Sequence, residues 1–220
     1  MRGEFIVVDT IVFDLDGTLL DTIGDLAAST NYALCAKGYP QRTVGEIRQM
    51  VGNGIRKLVL RAVPEATSES DYEETFGLFR AHYLKHCAEL TRPYEGITEL
   101  VARLAERSYK MAIVSNKLQP AVSELAARFF DPYIQCAIGE SPGTPRKPDP
   151  TALRQALEAL GSTPATTLYV GDSEVDMATG HNAGVEVVSC SWGFRSREAL
   201  AALNPRYLID KPEELLHLLI

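Results

Sequence analysis

The strongest constraint on the fold is an alternation that fills the chain beyond residue 95. Short apolar runs, rich in β-branched residues, are interleaved with segments of helical period. The runs are TIVFDL (10–15, the one early member), KMAIVS (110–115), YIQCAI (133–138), TLYVGD (167–172) and VEVVSC (185–190). The helical segments are GITELVARLAERS (96–108), QPAVSELAARFF (119–130), PTALRQALEALG (150–161) and DMATGHNAG (176–184). Near-continuous apolar strands need cover on both faces, so the pattern predicts an α/β fold with a Rossmann-like parallel-sheet core. Gly161 and Gly184 stand where helix C-caps belong.

The first strand breaks this rhythm. After Thr22 only helical patterns follow until about residue 90. Thr43-Val44-Gly45-Glu46 and Ser68-Glu69-Ser70-Asp71 read as capping sequences, and Phe76, Phe79, Tyr83 and Cys87 recur at helical spacing as a core face. Residues 22–91 are therefore expected to form a helical domain inserted into an α/β domain of residues 1–21 and 92–220, with TRPYEG (91–96) as the return linker.

Composition narrows the partners. With 220 residues and 45% hydrophobic content the chain can bury a substantial core, and a net charge of −7 argues against nucleic acid or anionic membrane as general partners. Cys35, Cys87, Cys136 and Cys190 show no CxxC pairing, which suits free thiols in a reducing compartment. The N-terminal stretch carries Glu4 and Asp9 and resembles no secretory signal, so a cytoplasmic location is expected.

The chemistry gathers where strands end. In IVFDLDGT (11–18), Asp14 and Asp16 are two apart and face the same side of an extended chain, beyond the strand's carboxyl end, where open α/β sheets bind ligands. Two close carboxylates repel unless a cation lies between them. Gly17 permits a sharp turn and Thr18 offers a hydroxyl. IVSNK (113–117) ends a strand in Ser115 and Asn116, a hydroxyl and exposed N–H groups suited to phosphate. RKPDP (146–150) sets Lys147 in a proline-bracketed loop, and YVGDSEVDM (169–177) supplies Asp172 and Asp176. Each motif alone also reads as a cap or a turn. Together they converge on one sheet edge as the inventory of a Mg²⁺-dependent phosphoryl-transfer site.

At this point the chain resembles a family. DLDGT (14–18), IVSN (113–116), KPDP (147–150) and GDSEVD (171–176) are similar to the four ordered motifs of the haloacid dehalogenase superfamily, and the helical insertion resembles its C1 cap. VGNGI (51–55), PYEGI (93–97) and SWGF (191–194) most resemble phosphoglycolate phosphatases. The resemblance implies that Asp14 is the nucleophile that becomes an aspartyl-phosphate and Asp16 the general acid and then base. It implies Mg²⁺ on Asp14, the Asp16 carbonyl and Asp172, with Asp176 behind them. Ser115, Asn116 and Lys147 would hold the phosphoryl oxygens, and Thr18, grouped with them, would orient the Asp16 loop.

Substrate choice is expected in the cap, where Gly52, Asn53, Gly54 and Arg56 offer flexible backbone, an amide and a guanidinium suited to a carboxylate; a plain turn and a solvated arginine are the alternative. His82 and His86, four apart on a helix, lack a third ligand in a matching motif and read as an ordinary face. The expected partner is a small phosphorylated metabolite such as 2-phosphoglycolate, handled by a monomer or homodimer. A β-phosphoglucomutase-like mutase, or a phosphatase for pyrophosphate, nucleoside monophosphates or sugar phosphates, would use the same core. A signalling receiver lacks both the inserted cap and a water activator like Asp16, and a carbon-halogen hydrolase would not need Asp16 as acid.

Overall fold

The computed structural model describes residues 8–52 and 54–219, so the expectation placed on Asn53 lies outside the described residues. The chain divides into two compact units, one running through Leu20 and resuming at Pro93, the other Asp21–Arg92. The two passages are the two-residue strands β2 (Leu20–Asp21) and β3 (Arg92–Pro93), which pair with each other.

The larger unit holds a six-stranded, wholly parallel sheet. It contains β1 (Thr10–Phe13), β4 (Lys110–Leu118), β5 (Cys136–Glu140), β6 (Thr167–Gly171), β7 (Glu186–Cys190) and β8 (Tyr207–Ile209), in the order β5-β4-β1-β6-β7-β8. Between the strands run α5 (Ile97–Glu106), α6 (Gln119–Phe130), α7 (Thr151–Leu160) and α8 (Glu174–Ala183). Every residue of β1 and β6 is buried, as strands covered on both faces must be. Phe13 sits level with Ile113 on one side and Val170 on the other. The residues that follow these three strands therefore leave one edge of the sheet side by side.

Gly161 and Gly184 end α7 and α8 in the left-handed conformation, at φ 60° and 74°. The fifth strand begins later than its apolar run suggests. Phe130 to Gln135 is spent on a turn after α6, in which the Phe130 carbonyl accepts from the Tyr133 and Ile134 N–H groups at 2.7 and 3.2 Å. β8 is three residues long, too short for its period to show in the sequence.

The smaller unit is helical: α1 (Ile23–Ala36), α2 (Val44–Met50), α3 (Ile55–Ala62) and α4 (Glu69–His86). Thr43 and Glu46 form a reciprocal capping box, and Ser68 caps α4 by accepting from the Asp71 N–H. Along α4 the rings of Phe76, Phe79 and Tyr83 follow one another at 6.5 and 5.4 Å as the unit's core. Asp25 ties this unit's two ends together. Its carboxylate accepts from the Leu90 N–H and from the N–H and hydroxyl of Thr91, at 2.7 to 3.1 Å. Among the described residues, no helix is long and apolar enough to cross a membrane.

Candidate active site

The loop after β1 is built around one carbonyl. Leu15 O accepts from the N–H groups of Thr18, Leu19 and Leu20 at 3.0 to 3.3 Å, which closes the chain into a tight turn. Gly17 at its tip has φ +88°, and a Cβ there would collide with the Asp172 carboxylate, so this position needs glycine on two counts. Before the turn, the Asp14 N–H donates to Val170 O at 2.9 Å and extends the β1–β6 ladder by one rung. Asp14 is thus fixed by the sheet, whereas Asp16 belongs to the turn.

Lys147 is the hub of the buried cluster. Its ammonium donates to Asp14 Oδ1 at 2.7 Å, Asp176 Oδ1 at 2.8 Å, the Tyr169 hydroxyl at 2.9 Å and the Val114 carbonyl at 3.1 Å. Burial works against its charge, but the Asp14 and Asp176 carboxylates outweigh that and hold its pKa well above the ordinary lysine range. The Asn116 amide aims this lysine. Its Oδ1 accepts from the Lys147 N–H at 2.8 Å and its Nδ2 donates to the Lys147 carbonyl at 3.1 Å. Where a backbone N–H was expected to matter at Asn116, its side chain already has work, splinting the loop that carries Lys147.

One oxygen each of Asp14, Asp172 and Asp176, all three buried, lie within 4.8 Å of one another. Burial first, and then the neighbouring Asp176, push the Asp14 pKa up to about 7 against the opposing pull of Lys147. Burial and the same carboxylates hold Asp172 well above the usual range too. Three buried carboxylates beside one lysine leave negative charge uncompensated, and hard oxygen donors without sulfur or imidazole suit a hard divalent cation. The Asp176 carboxylate, expected behind the ligand set, stands beside the other two. There Ser173, the N-cap of α8, donates to its Oδ2 at 2.5 Å while Lys147 and Tyr169 hold its Oδ1.

The Asp16 side chain is outside that cluster. Its Oδ1 accepts from Lys117 at 2.6 Å, and Lys117 is 1% exposed against 20% for Asp16. Ser115 is buried at the end of β4 and its hydroxyl accepts from the Lys117 N–H at 3.3 Å. Thr18 departs from its grouping with the phosphate ligands. It is wholly buried, with its hydroxyl 3.9 Å from the Cys190 sulfur and its carbonyl accepting from the Trp192 indole at 2.9 Å. Those contacts brace the turn.

Four contributors have no role assigned from the sequence. Lys117 resembles any strand-end lysine, and Tyr169 passes for an ordinary apolar strand residue. Gly193 and Phe194 lie far along the chain, yet the Phe194 N–H donates to Asp172 Oδ2 at 2.6 Å and a Cβ on Gly193 would strike Asp172.

The cap candidates lie in the smaller unit. Gly52 and Gly54 have positive φ, 129° and 84°, and Gly54 is the N-cap of α3. Arg61 pins this turn by donating to the carbonyls of Met50 and Gly52 at 2.6 and 3.0 Å. Arg56 forms an ion pair with Glu73 and lies over the Phe76 ring, 4.4 Å from its centre. A ligand carboxylate would have to compete with Glu73 for it. His82 and His86 stack at 4.2 Å, with Ser29 and Glu89 as their Nδ1 partners, and no third ligand joins them among the described residues.

Comparison with known proteins follows the same lines. A family profile of haloacid dehalogenase-like hydrolases matches residues 11–190. A phosphoglycolate phosphatase from Aquifex aeolicus is 31% identical over 214 residues, covering 95% of each chain. An N-acetylmuramic acid 6-phosphate phosphatase from Pseudomonas aeruginosa is 31% identical over 223 residues, covering 95% of this chain and 93% of that one. The crystal structure of a predicted phosphoglycolate phosphatase from Haemophilus somnus superposes with a TM-score of 0.89 at 28% identity, covering 97% of this chain and 99% of the other. The chain belongs to the haloacid dehalogenase-like hydrolases, as an enzyme resembling their phosphatases.

Proposed function

We propose that the enzyme hydrolyses small phosphate monoesters through an aspartyl-phosphate on Asp14, with Mg²⁺ as the cation and 2-phosphoglycolate as the leading substrate. The observation that carries this is the division of two neighbouring aspartates. Asp14 sits in a buried acid cluster 2.7 Å from Lys147, and Asp16 is held apart on Lys117 at 2.6 Å. A carboxylate in a cation-binding cluster stays ionised and can attack. One outside it, partly open to solvent, can carry a proton.

In the first step an Asp14 oxygen forms a bond to phosphorus, the ester P–O bond breaks, and Asp16 gives its proton to the departing oxygen. In the second step a water attacks the same phosphorus and gives its proton to Asp16. The Asp14–phosphorus bond then breaks, releasing inorganic phosphate and restoring both carboxyls. Asp14, the Asp16 carbonyl and Asp172 are the groups that would hold Mg²⁺, and Asp176 supports them through Lys147. The cation, when bound, supplies positive charge that offsets the buried carboxylates and the phosphoryl oxygens. Lys147 meets the phosphoryl group as a point charge whose direction Asn116 fixes. Ser115 and the Asn116 N–H are the remaining donors.

The match to phosphoglycolate phosphatases favours a small carboxylated phosphoester, with Gly52, Asn53, Gly54 and the guanidinium of Arg56 as the candidates that choose it. The equally similar N-acetylmuramic acid 6-phosphate phosphatase supports a phosphorylated sugar as the second reading. The test is phosphate release from 2-phosphoglycolate, hexose phosphates, nucleoside monophosphates, pyrophosphate and p-nitrophenyl phosphate, with and without Mg²⁺. Metal-dependent release that Asp14→Asn abolishes is expected, with 2-phosphoglycolate the best substrate. No release from any ester by the folded enzyme would overturn the hydrolase reading.

A further inference from the structure

We propose that Lys117 is a positioning residue for Asp16: it holds that carboxylate off the cation-binding cluster and in place for proton transfer. The inference rests on the hydrolase reading above. Asp14 and Asp16 are two apart, and nothing in that spacing stops both from turning to the same positive charge. A lysine 101 positions away from Asp16 prevents this. Lys117 extends from the carboxyl end of β4, two residues past Ser115, and its side chain is 1% exposed. A buried ammonium is costly unless paired, and a lysine stem wrapped by protein has already lost the rotamer freedom that lets surface lysines wander. Its place is therefore fixed by packing, and Asp16 Oδ1 is drawn to it at 2.6 Å.

The asymmetry of exposure gives the pair its use. Lys117 is closed off, while Asp16 keeps 20% of its side-chain surface open. A purely structural ion pair would gain nothing from this opening. A proton carrier needs one face fixed and another accessible, and with Oδ1 on Lys117 the other oxygen, Oδ2, remains for the ester. Lys147, by contrast, is spent on Asp14, Asp176, Tyr169 and Val114, so it has no role in placing Asp16. Each of the two aspartates thus has its own buried lysine.

The test uses the full chain with Mg²⁺ and compares Lys117→Met, Lys117→Arg and Asp16→Asn on two esters whose leaving groups differ in their need for a proton. 2-Phosphoglycolate, or the best alkyl phosphate of the panel, must have its leaving oxygen protonated; p-nitrophenolate leaves without help. For Lys117→Met, kcat on the alkyl ester is expected to fall by ~10²–10³-fold with KM within about 3-fold. With p-nitrophenyl phosphate the first equivalent of nitrophenol should still appear rapidly, followed by slow turnover while phosphoenzyme accumulates. Lys117→Arg should recover part of the alkyl-ester rate. Should Lys117→Met fail to fold, Lys117→Gln is expected to show the same dependence on leaving group, and equal losses of the first-turnover rate on both esters there would overturn the proposal. Unchanged kcat in folded Lys117→Met, with Asp16→Asn impaired, would overturn the role of Lys117 alone. Normal turnover by Asp16→Asn would instead remove the acid–base role of Asp16, and the proposal with it.

Discussion

Two aspartate–lysine pairs stand two residues apart on one loop, and they are built differently. Asp14 and Lys147 are both buried, at 9% and 4% side-chain exposure, and share a cluster with Asp172, Asp176 and Tyr169. Asp16 meets a buried lysine from a partly open position. In the first pair, burial first and then the neighbouring Asp176 raise the Asp14 pKa to about 7 against the pull of Lys147, a strain that a divalent cation would relieve. The second pair is set apart from that crowding. The same side chain, repeated on one loop, is turned to two tasks by which cation faces it and how much water reaches it.

The largest effect should come from the closed pair. Asp14→Asn removes the proposed nucleophile and is expected to cut kcat by at least about 10⁴-fold with every ester, measured as phosphate release at saturating Mg²⁺. Residual release dependent on Mg²⁺ at a tenth of the wild-type rate would show that the two pairs do not divide the work as argued.

Next is the stability of the cluster. Lys147→Met leaves buried carboxylates without their cation and should cost about 3–5 kcal/mol in urea unfolding without metal. Because the deficit is one of positive charge, millimolar Mg²⁺ should restore more stability to this variant than to wild type. Equal restoration in both would place the cation elsewhere.

The crowding also sets a pH dependence. The folded-state pKa values of Asp14 and Asp172 lie above their unfolded values near 3.8, so the folded protein holds more protons than the unfolded one between those limits. The Asp14 contribution to metal-free stability is complete below about pH 4 and is lost as pH rises through about 7. Asp14→Asn should therefore flatten the metal-free stability profile between pH 4 and 7, and the stabilisation by Mg²⁺ in wild type should grow over the same window. A wild-type gain from Mg²⁺ that is independent of pH would contradict the shared cluster.

Much of this was legible beforehand, because the alternation of strand and helix is a period and the motifs are residue types at strand ends. Asp14, Ser115 and Asp172 do arrive at one sheet edge, since β1, β4 and β6 are neighbours in register, and Lys147 joins them through its ammonium on Asp14. What escaped is what depends on packing. Lys117 has no signature of burial in SNK, and Tyr169 shows its hydroxyl only when α8 brings Asp176 within 2.9 Å. At Asn116 the sequence offers an N–H at a strand end, whereas its side-chain amide bridges 31 residues to Lys147, a contact with no local trace. Asn116→Ala offers a smaller test of that splint. It is expected to slow kcat by about 10-fold through a misdirected Lys147, with the melting temperature lowered by only a few degrees.

The division of labour between Asp14 and Asp16 is tested most directly by mapping the covalent intermediate. Asp16→Asn enzyme, mixed with p-nitrophenyl phosphate and Mg²⁺ and quenched in acid, should carry one phosphoryl group on the peptide that contains Asp14, found by mass spectrometry. Phosphate on another residue, or unimpaired turnover with no phosphoenzyme, would contradict it.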